Sequence, residues 1–348
     1  MTVAILKLGG RQNGPETWRE GLYDCLRSSP NIHPIQVDSA RLGSLLRPGW
    51  LRGADVVHNY HIAPAAIVYS LLGRLLGKRV VFTMHGDFLR EQASKRGLKR
   101  LLWRPLNLLA LATAHTITFP SAYLRDAITS RLPWVGPKSR VIPNGIAAAG
   151  SAAKPSPVAS PGQSAASARP QVAGRSGQTW RLISVTSFNH AGKYEGLIPL
   201  IKAATALTKA GERLSLTIVG AGRALEIYRR LYATPHIHFA GYSDDVAGFI
   251  ARSDALVHST NLDNAPYVIL EAMVAGKPVL ATPTGGIPEM LPPQGLVKPT
   301  AESWEQHLGS LMHQAGYAEK LRRQCIAKLK QFEWPTVGAQ FIQVYQRH

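Results

Sequence analysis

Short apolar runs alternate with longer amphipathic stretches from one end of the chain to the other. In the first half VAILKL, DVVH, RVVFTMH, TITFP and SRVIPNG are dense enough in Val, Ile and Phe to be buried strands. Between them ETWREGLYDCL and APAAIVYSLLGRLLG carry a helical period. In the second half RLISVTSF, LSLTIVG, IHFAG, ALVHS, PVLATP and GLVKP take the strand role. The helices there are GLIPLIKAATALTKA, RALEIYRRLY, DDVAGFIARS and VILEAMVAG. Strand–helix–strand alternation predicts the α/β class, with parallel sheets covered by helices on both faces.

One segment breaks the pattern. Residues 148–178 are rich in Ala, Ser, Pro and Gly and contain no acidic or aromatic residue. Such a stretch buries too little surface to offset the entropy of ordering, so a flexible linker is expected. It divides the chain into Rossmann-like domains over 1–147 and 179–331, with a final helix over 332–348 packing back towards the first. Ligands are then expected at the carboxyl ends of the strands, in a cleft between the domains.

Composition narrows the classes. Among 348 residues, 40 Lys and Arg stand against 21 Asp and Glu, a formal charge of +19. The surplus favours anionic partners, although it also simply aids solubility. Cys25 and Cys325 are the only cysteines, which excludes a disulfide framework or a cysteine zinc site. No run approaches the roughly 18 apolar residues of a spanning helix. The opening MTVAILKLGG has no basic leader region, so a cytoplasmic protein is expected.

The densest chemistry lies in NLDNAPYVILEAMVAGKPVLATPTGGIPEM, residues 261–290. Asp263 and Glu271 are eight positions apart, which on a helix is roughly 12 Å along one face. That separation suits an activated sugar joined through a diphosphate to a ribose, and Glu271 can accept paired hydrogen bonds from a vicinal diol. Pro266 fits a first helical turn and Asn264 a cap, leaving backbone N–H groups near Ala265 for an anion. Two solvated acids on a surface helix would look the same. Thr284-Gly285-Gly286 follows a strand and allows close backbone approach. Gly220-Ala221-Gly222 lacks the third glycine of a dinucleotide fingerprint. Asp244-Asp245 sits at a helix start, in a capping rather than a metal-binding context.

These residues carry a resemblance. The D-x7-E spacing followed by AMVAGKPVLATPTGGIPE resembles the donor-site signature of glycosyltransferase family four, the retaining GT-B enzymes. Gly9-Gly10, FTMHG at 82–86, RVIPNGI at 140–146, LTIVGAG at 216–222, IHFAGY at 237–242 and FEWPTVGAQFIQVY at 332–345 follow in family order. The resemblance implies a GT-B fold with an acceptor-side first domain and a nucleotide-sugar-binding second one. It implies that Glu271 holds the nucleotide ribose and that Asp263, where the family usually has Glu, lies against the donor sugar. His85 matches the family histidine near sugar and acceptor, and Gly9 and Gly10 match the loop that admits the diphosphate. The family's Arg after LISVTSF is absent, Ser187 or Phe188 standing in its place. Lys193 is then the phosphate cation, with His190 and Arg223 as supplements; a solvated loop lysine is the plain alternative. Transfer without a metal ion or other cofactor, and with retention at the anomeric carbon, comes with the family.

An acceptor-side feature completes the reading. KRGLKRLLWR, residues 95–104, holds five basic residues, and no acid occurs between Glu91 and Asp126. As a helix it would set Lys95, Lys99, Arg100 and Trp103 beside a leucine stripe, a pattern suited to an anionic membrane surface or to packing on the core. The expected partners are a nucleotide sugar, a saccharide or lipid-linked acceptor and that membrane surface, in surface polysaccharide or glycolipid assembly. A nucleotide-sugar epimerase of the same fold and a non-catalytic anion- or nucleic-acid-binding protein are the alternatives. No zinc-finger, RNP-type or basic-zipper motif supports nucleic acid.

Overall fold

The computed structural model describes residues 1–7, 14–39, 49–61, 63–87, 89, 98–148 and 178–346, and only the backbone of 98–104. The chain separates into two compact units, Met1–Ile146 with Glu333–His348, and Ala147–Phe332.

Unit 1 runs β1 (Thr2–Lys7), α1 (Gly14–Arg27), β2 (His33–Asp38), α2 (Trp50–Gly53), β3 (Val56–Asn59) and α3 (Pro64–Leu75). It continues with β4 (Arg79–Thr83), α4 (Leu98–Thr113), β5 (Thr116–Phe119), α5 (Ala122–Thr129) and β6 (Ser139–Val141). The six strands form a parallel sheet in the order β2-β1-β3-β4-β5-β6. Val3, Ala4, Ile5 and Leu6 are all buried because helices cover both faces, which is why the inner strands are continuous apolar runs. The edge strand β2, HPIQVD, escapes the hydrophobic pattern because only Val37 of its six residues is buried.

Unit 2 runs β7 (Trp180–Val185), α6 (Ala191–Tyr194), α7 (Ile198–Lys209), β8 (Leu214–Val219), α8 (Leu225–Tyr232) and β9 (Ile237–Gly241). Then come α9 (Val246–Arg252), β10 (Ala255–His258), α10 (Tyr267–Val274), β11 (Val279–Ala281), α11 (Ile287–Met290), α12 (Ala301–His313) and α13 (Tyr317–Leu329). Its parallel sheet has the order β11-β10-β7-β8-β9. GLVKP is not a strand: Leu296 makes only an isolated bridge to Ala281.

The last helix, α14 (Trp334–Gln346), belongs to unit 1. Trp334 explains two glycines. A Cβ on Gly21 or Gly145 would lie 2.2 or 2.4 Å from its ring, so only glycine lets the indole seat between α1 and the NGI turn. The NGI and FEW motifs thus meet, Trp334 N–H donating to the Ile146 carbonyl at 3.1 Å. Nearly all of the predicted linker, 149–177, lies outside the described residues.

Candidate active site

In unit 2 the chain leaves β7 to build β8 and β9 on one side, then returns to lay β10 and β11 on the other. The switch point therefore lies between β7 and β10, where an open parallel sheet binds its ligand. The loops that leave these two strands touch through glycines. A Cβ on Gly196 would lie 2.4 Å from Thr260 Cα, and one on Gly192 2.8 Å from Leu262 Cβ. The loop after β11 is locked to them: Thr282 and Thr284 hydroxyls both donate to the Thr260 carbonyl, at 2.7 and 2.8 Å. Gly285 has φ +60° and passes so close to the Asp263 carbonyl oxygen that a Cβ would lie 1.7 Å away. The TGG run therefore shapes the loop that carries Asp263.

Lys193 and Asp263 meet across this junction, Nζ to Oδ2 at 3.0 Å. His258, the last residue of β10, places Nε2 3.5 Å from the same oxygen. That is too long for a sound hydrogen bond, and neither ring nitrogen of this buried histidine has another partner. Burial pushes the Asp263 carboxyl up, but His258 and Lys193 together outweigh it and hold the pKa below its usual value. Asp263 is thus an ionised carboxylate neutralised by a lysine with hydrogens to spare.

Asp263 is not on the helix, as an unbroken D-x7-E helix would require. α10 begins at Tyr267 with Pro266 in the N-cap position, and proline fixes the extended backbone there. Asn264 precedes the cap instead of forming it, and its N–H donates to Asp263 Oδ1 at 3.1 Å. Glu271 lies one turn into α10, four residues after Tyr267 and on the same face. Burial raises its pKa to about 7. The Tyr267 hydroxyl is buried without a hydrogen-bond partner; burial and the nearby Glu271 charge push its pKa well up.

The remaining donor-side candidates sit on the loops after β7 and β8. His190 is exposed at the start of α6, and Arg223 is exposed, its N–H donating to Asn189 Oδ1 at 3.2 Å. Phe188, one of the two places for the missing Arg, is fully buried in a cluster of Tyr194, Tyr228 and Phe239. A guanidinium has no room there. Gly220 and Gly222 are packing glycines: their positive φ lets the β8 loop lie on the backbone of Thr186 and Phe188. Asp245 caps α9, accepting from Gly248 N–H at 2.9 Å.

In unit 1 the switch point falls between β1 and β3. Gly9 and Gly10 of the loop after β1 lie outside the described residues. His85 follows β4 and packs against the Trp18 ring at 4.9 Å. Burial lowers its pKa to about 3, so it is a neutral imidazole that can exchange hydrogen bonds with sugar hydroxyls. Around it His58 bonds the Tyr345 hydroxyl at 2.6 Å and Thr83 at 2.7 Å, and Glu16 accepts from Tyr60 at 2.6 Å and Arg19 at 2.9 Å. Lys95 is outside the described residues, as are the side chains of Lys99, Arg100 and Trp103, whose backbone is helical within α4. Sequence reasoning missed His258 and Tyr267, since each occupies an ordinary apolar place in its element; only their partnerless polar atoms single them out.

Two parallel-sheet units of this topology make the fold GT-B. Residues 10–149 match the model of glycosyltransferase family 4 and residues 180–314 that of glycosyl transferases group 1. The chain belongs to this family. A stretch of 114 residues is 29% identical to N-acetyl-alpha-D-glucosaminyl L-malate synthase of Bacillus anthracis, covering 32% of this chain and 29% of that one. The chain matches about a third of the length of its curated relatives. Among solved structures, Anabaena Alr3699/HepE in complex with UDP superimposes with TM-score 0.71 and 16% identity, over 99% of both chains. WaaG, a glycosyltransferase involved in lipopolysaccharide biosynthesis, gives TM-score 0.66 and 16% identity over 99% of this chain and 100% of that one.

Proposed function

We propose that the protein is a glycosyltransferase that moves a sugar from a nucleotide-diphosphate sugar to a saccharide or lipid-linked acceptor. The observation that carries this reading is the Lys193–Asp263 pair at the switch point, beside a helix on which Tyr267 keeps a buried hydroxyl unengaged one turn before Glu271. Cleaving the anomeric C–O bond sends its electron pair to the departing phosphate and leaves positive charge on the sugar. Lys193, with N–H bonds beyond the one given to Asp263, answers the phosphate charge, and the ionised Asp263 carboxylate answers the sugar's. Glu271 accepts from the ribose diol. The acceptor hydroxyl forms the new bond to the anomeric carbon and passes its proton to the departing phosphate. A neutral His85 orients a hydroxyl and carries no charge of its own.

The family resemblance supports retention of configuration and transfer without a metal ion. The UDP in the Anabaena structure and the lipopolysaccharide role of WaaG favour a nucleotide donor and a surface-glycan pathway. The +19 charge favours work at an anionic membrane from the cytoplasmic side. No helix among the described residues is long and apolar enough to cross one.

The test is a thermal-shift panel of UDP-, GDP- and ADP-sugars. A true donor at a hundred times its Kd stabilises by about 2.7 kcal/mol, and Glu271→Ala abolishes the shift. No response to any nucleotide sugar would overturn the reading. Conversion of the sugar with no acceptor present would identify an epimerase instead.

A further inference from the structure

The amino ends of β4, β5 and β6, opposite to the ends that lead to His85, enclose a second concavity of about 200 Å³. Arg79, Thr116 and Arg140 line it from the three strands, with His115 and Lys138 from the turns before β5 and β6. No carboxylate lines it among the described residues. Arg74 of α3 joins the group, because its guanidinium and Lys138 Nζ grip neighbouring carbonyls of the α4 terminus: Thr113 O at 3.2 Å, and Leu111 O and Ala114 O at 2.7 and 3.0 Å.

Capping a helix explains part of this arrangement. A helix terminus offers only about half a negative charge, and of these side chains only Arg74 and Lys138 reach its carbonyls. Arg140 is exposed and gives one N–H to the Ser139 carbonyl at 2.7 Å, while Arg79 donates to Thr116 Oγ1 at 3.2 Å, which leaves the threonine hydroxyl hydrogen to donate in turn. The surplus registers on His115, whose pKa is lowered first by burial and then by Arg74, Arg79 and Lys138. Trp134, 45% exposed, borders the cations, with Lys138 Nζ 4.9 Å from its ring centroid, and Leu75 and Leu76, which follow Arg74 at the end of α3, are 73% and 55% exposed.

We propose that this pocket binds a phosphate group, held by Arg79, Arg140 and the Thr116 hydroxyl beside the charge of Lys138, whose three N–H bonds go to the Leu111, Ala112 and Ala114 carbonyls, at a site separate from the donor loops of unit 2. Guanidinium forks around a small polar cup match a tetrahedral oxyanion in shape and charge. The phosphate comes from a soluble phosphate or from a phospholipid headgroup, and the exposed Leu75 and Leu76 give a test between the two sources.

Binding of inorganic phosphate and of glycerol 3-phosphate is measured by calorimetry at fixed ionic strength, and binding of phosphatidylglycerol-containing vesicles by flotation. Arg79→Gln and Arg140→Gln should each weaken binding about tenfold. Lys193→Met removes only what phosphate binds at the donor loops of unit 2 and should leave the component that Arg79→Gln and Arg140→Gln weaken, and the His115 ring signals should move on titration. A soluble source is identified by saturable binding of the free anions; a lipid source by vesicle binding that falls with Leu75→Ser and Leu76→Ser. The proposal is overturned if neither anion nor vesicle binds, if the arginine substitutions weaken no component of binding, or if the component they weaken disappears with Lys193→Met. If Arg79→Gln lowers the melting temperature, Arg140→Gln decides alone, since that side chain is exposed.

Discussion

His58 is the penultimate residue of β3 in unit 1 and His258 closes β10 in unit 2; both are buried, and each strand lies beside its sheet's first strand at the switch point. His58 has both ring nitrogens bonded, to Tyr345 and Thr83, and Thr83 continues to Thr118 at 2.6 Å. His258 has neither nitrogen bonded. The tyrosines repeat the contrast: the Tyr345 hydroxyl is used, whereas that of Tyr267 is not. An unmet buried polar group costs about 1–3 kcal/mol, and both units hold some: Arg19 Nη1 and His61 Nδ1 in unit 1, His258 and Tyr267 in unit 2. The tied cluster in unit 1 holds α14 to its sheet. Under the function proposed above, the untied one in unit 2 finds its partner in the ligand.

The largest effect expected from this contrast is on the chemical step. Lys193→Met should lower kcat about 10²- to 10³-fold, the scale of losing one group that stabilises developing negative charge. Single-turnover rates with saturating donor would measure it. A loss confined to KM would make Lys193 a binding residue only.

Glu271→Gln comes next and should move affinity and stability in opposite directions. Its folded pKa of about 7 lies above its ordinary 4.5, so the folded protein gains stability as pH falls from about 7 towards 4.5 and carries the full penalty above 7. At pH 8 the unliganded variant should therefore be more stable, by about 1–3 kcal/mol. Nucleotide affinity should fall about 10- to 100-fold, because the charged acceptor of the diol is gone. In the parent protein affinity should rise from pH 6 to pH 8 as Glu271 ionises. Urea unfolding with and without nucleotide at both pH values checks each sign.

Tyr345→Phe should do the converse. It strands His58 Nδ1 in a buried site and should cost about 1–3 kcal/mol in stability, with nucleotide affinity unchanged. Equilibrium denaturation and the thermal-shift panel together decide; a change in affinity would blur the line between the two clusters.

The inner strands of both sheets were legible because burial on two faces writes them as apolar runs. The edge strand β2 was not, because its outward positions are polar. GLVKP has a strand's composition, but it follows a short 3₁₀ turn and makes a single bridge. The acids were visible through their spacing, but the spacing suggested a continuous helix where Pro266 divides loop from helix. Phe188 illustrates the limit most sharply: the sequence shows an absent arginine, and only packing shows that an aromatic core occupies the place. His258 and Tyr267 were invisible for a related reason, since a missing hydrogen bond is a property of neighbours brought from β7, β10 and α10.

The smallest expected effect is the sharpest test of the contrast. Tyr267→Phe removes the same atom as Tyr345→Phe, also from a buried hydroxyl, but here no partner is left behind. Stability of the unliganded protein should therefore stay within about 0.5 kcal/mol or rise slightly, because the desolvated hydroxyl contributes only cost. With nucleotide bound the sign should reverse, a several-fold loss of affinity revealing the bond that the hydroxyl makes only to ligand. Equal destabilisation by the two tyrosine substitutions would mean that Tyr267 already has a structural partner, and the distinction between a tied and an untied cluster would fail at that residue.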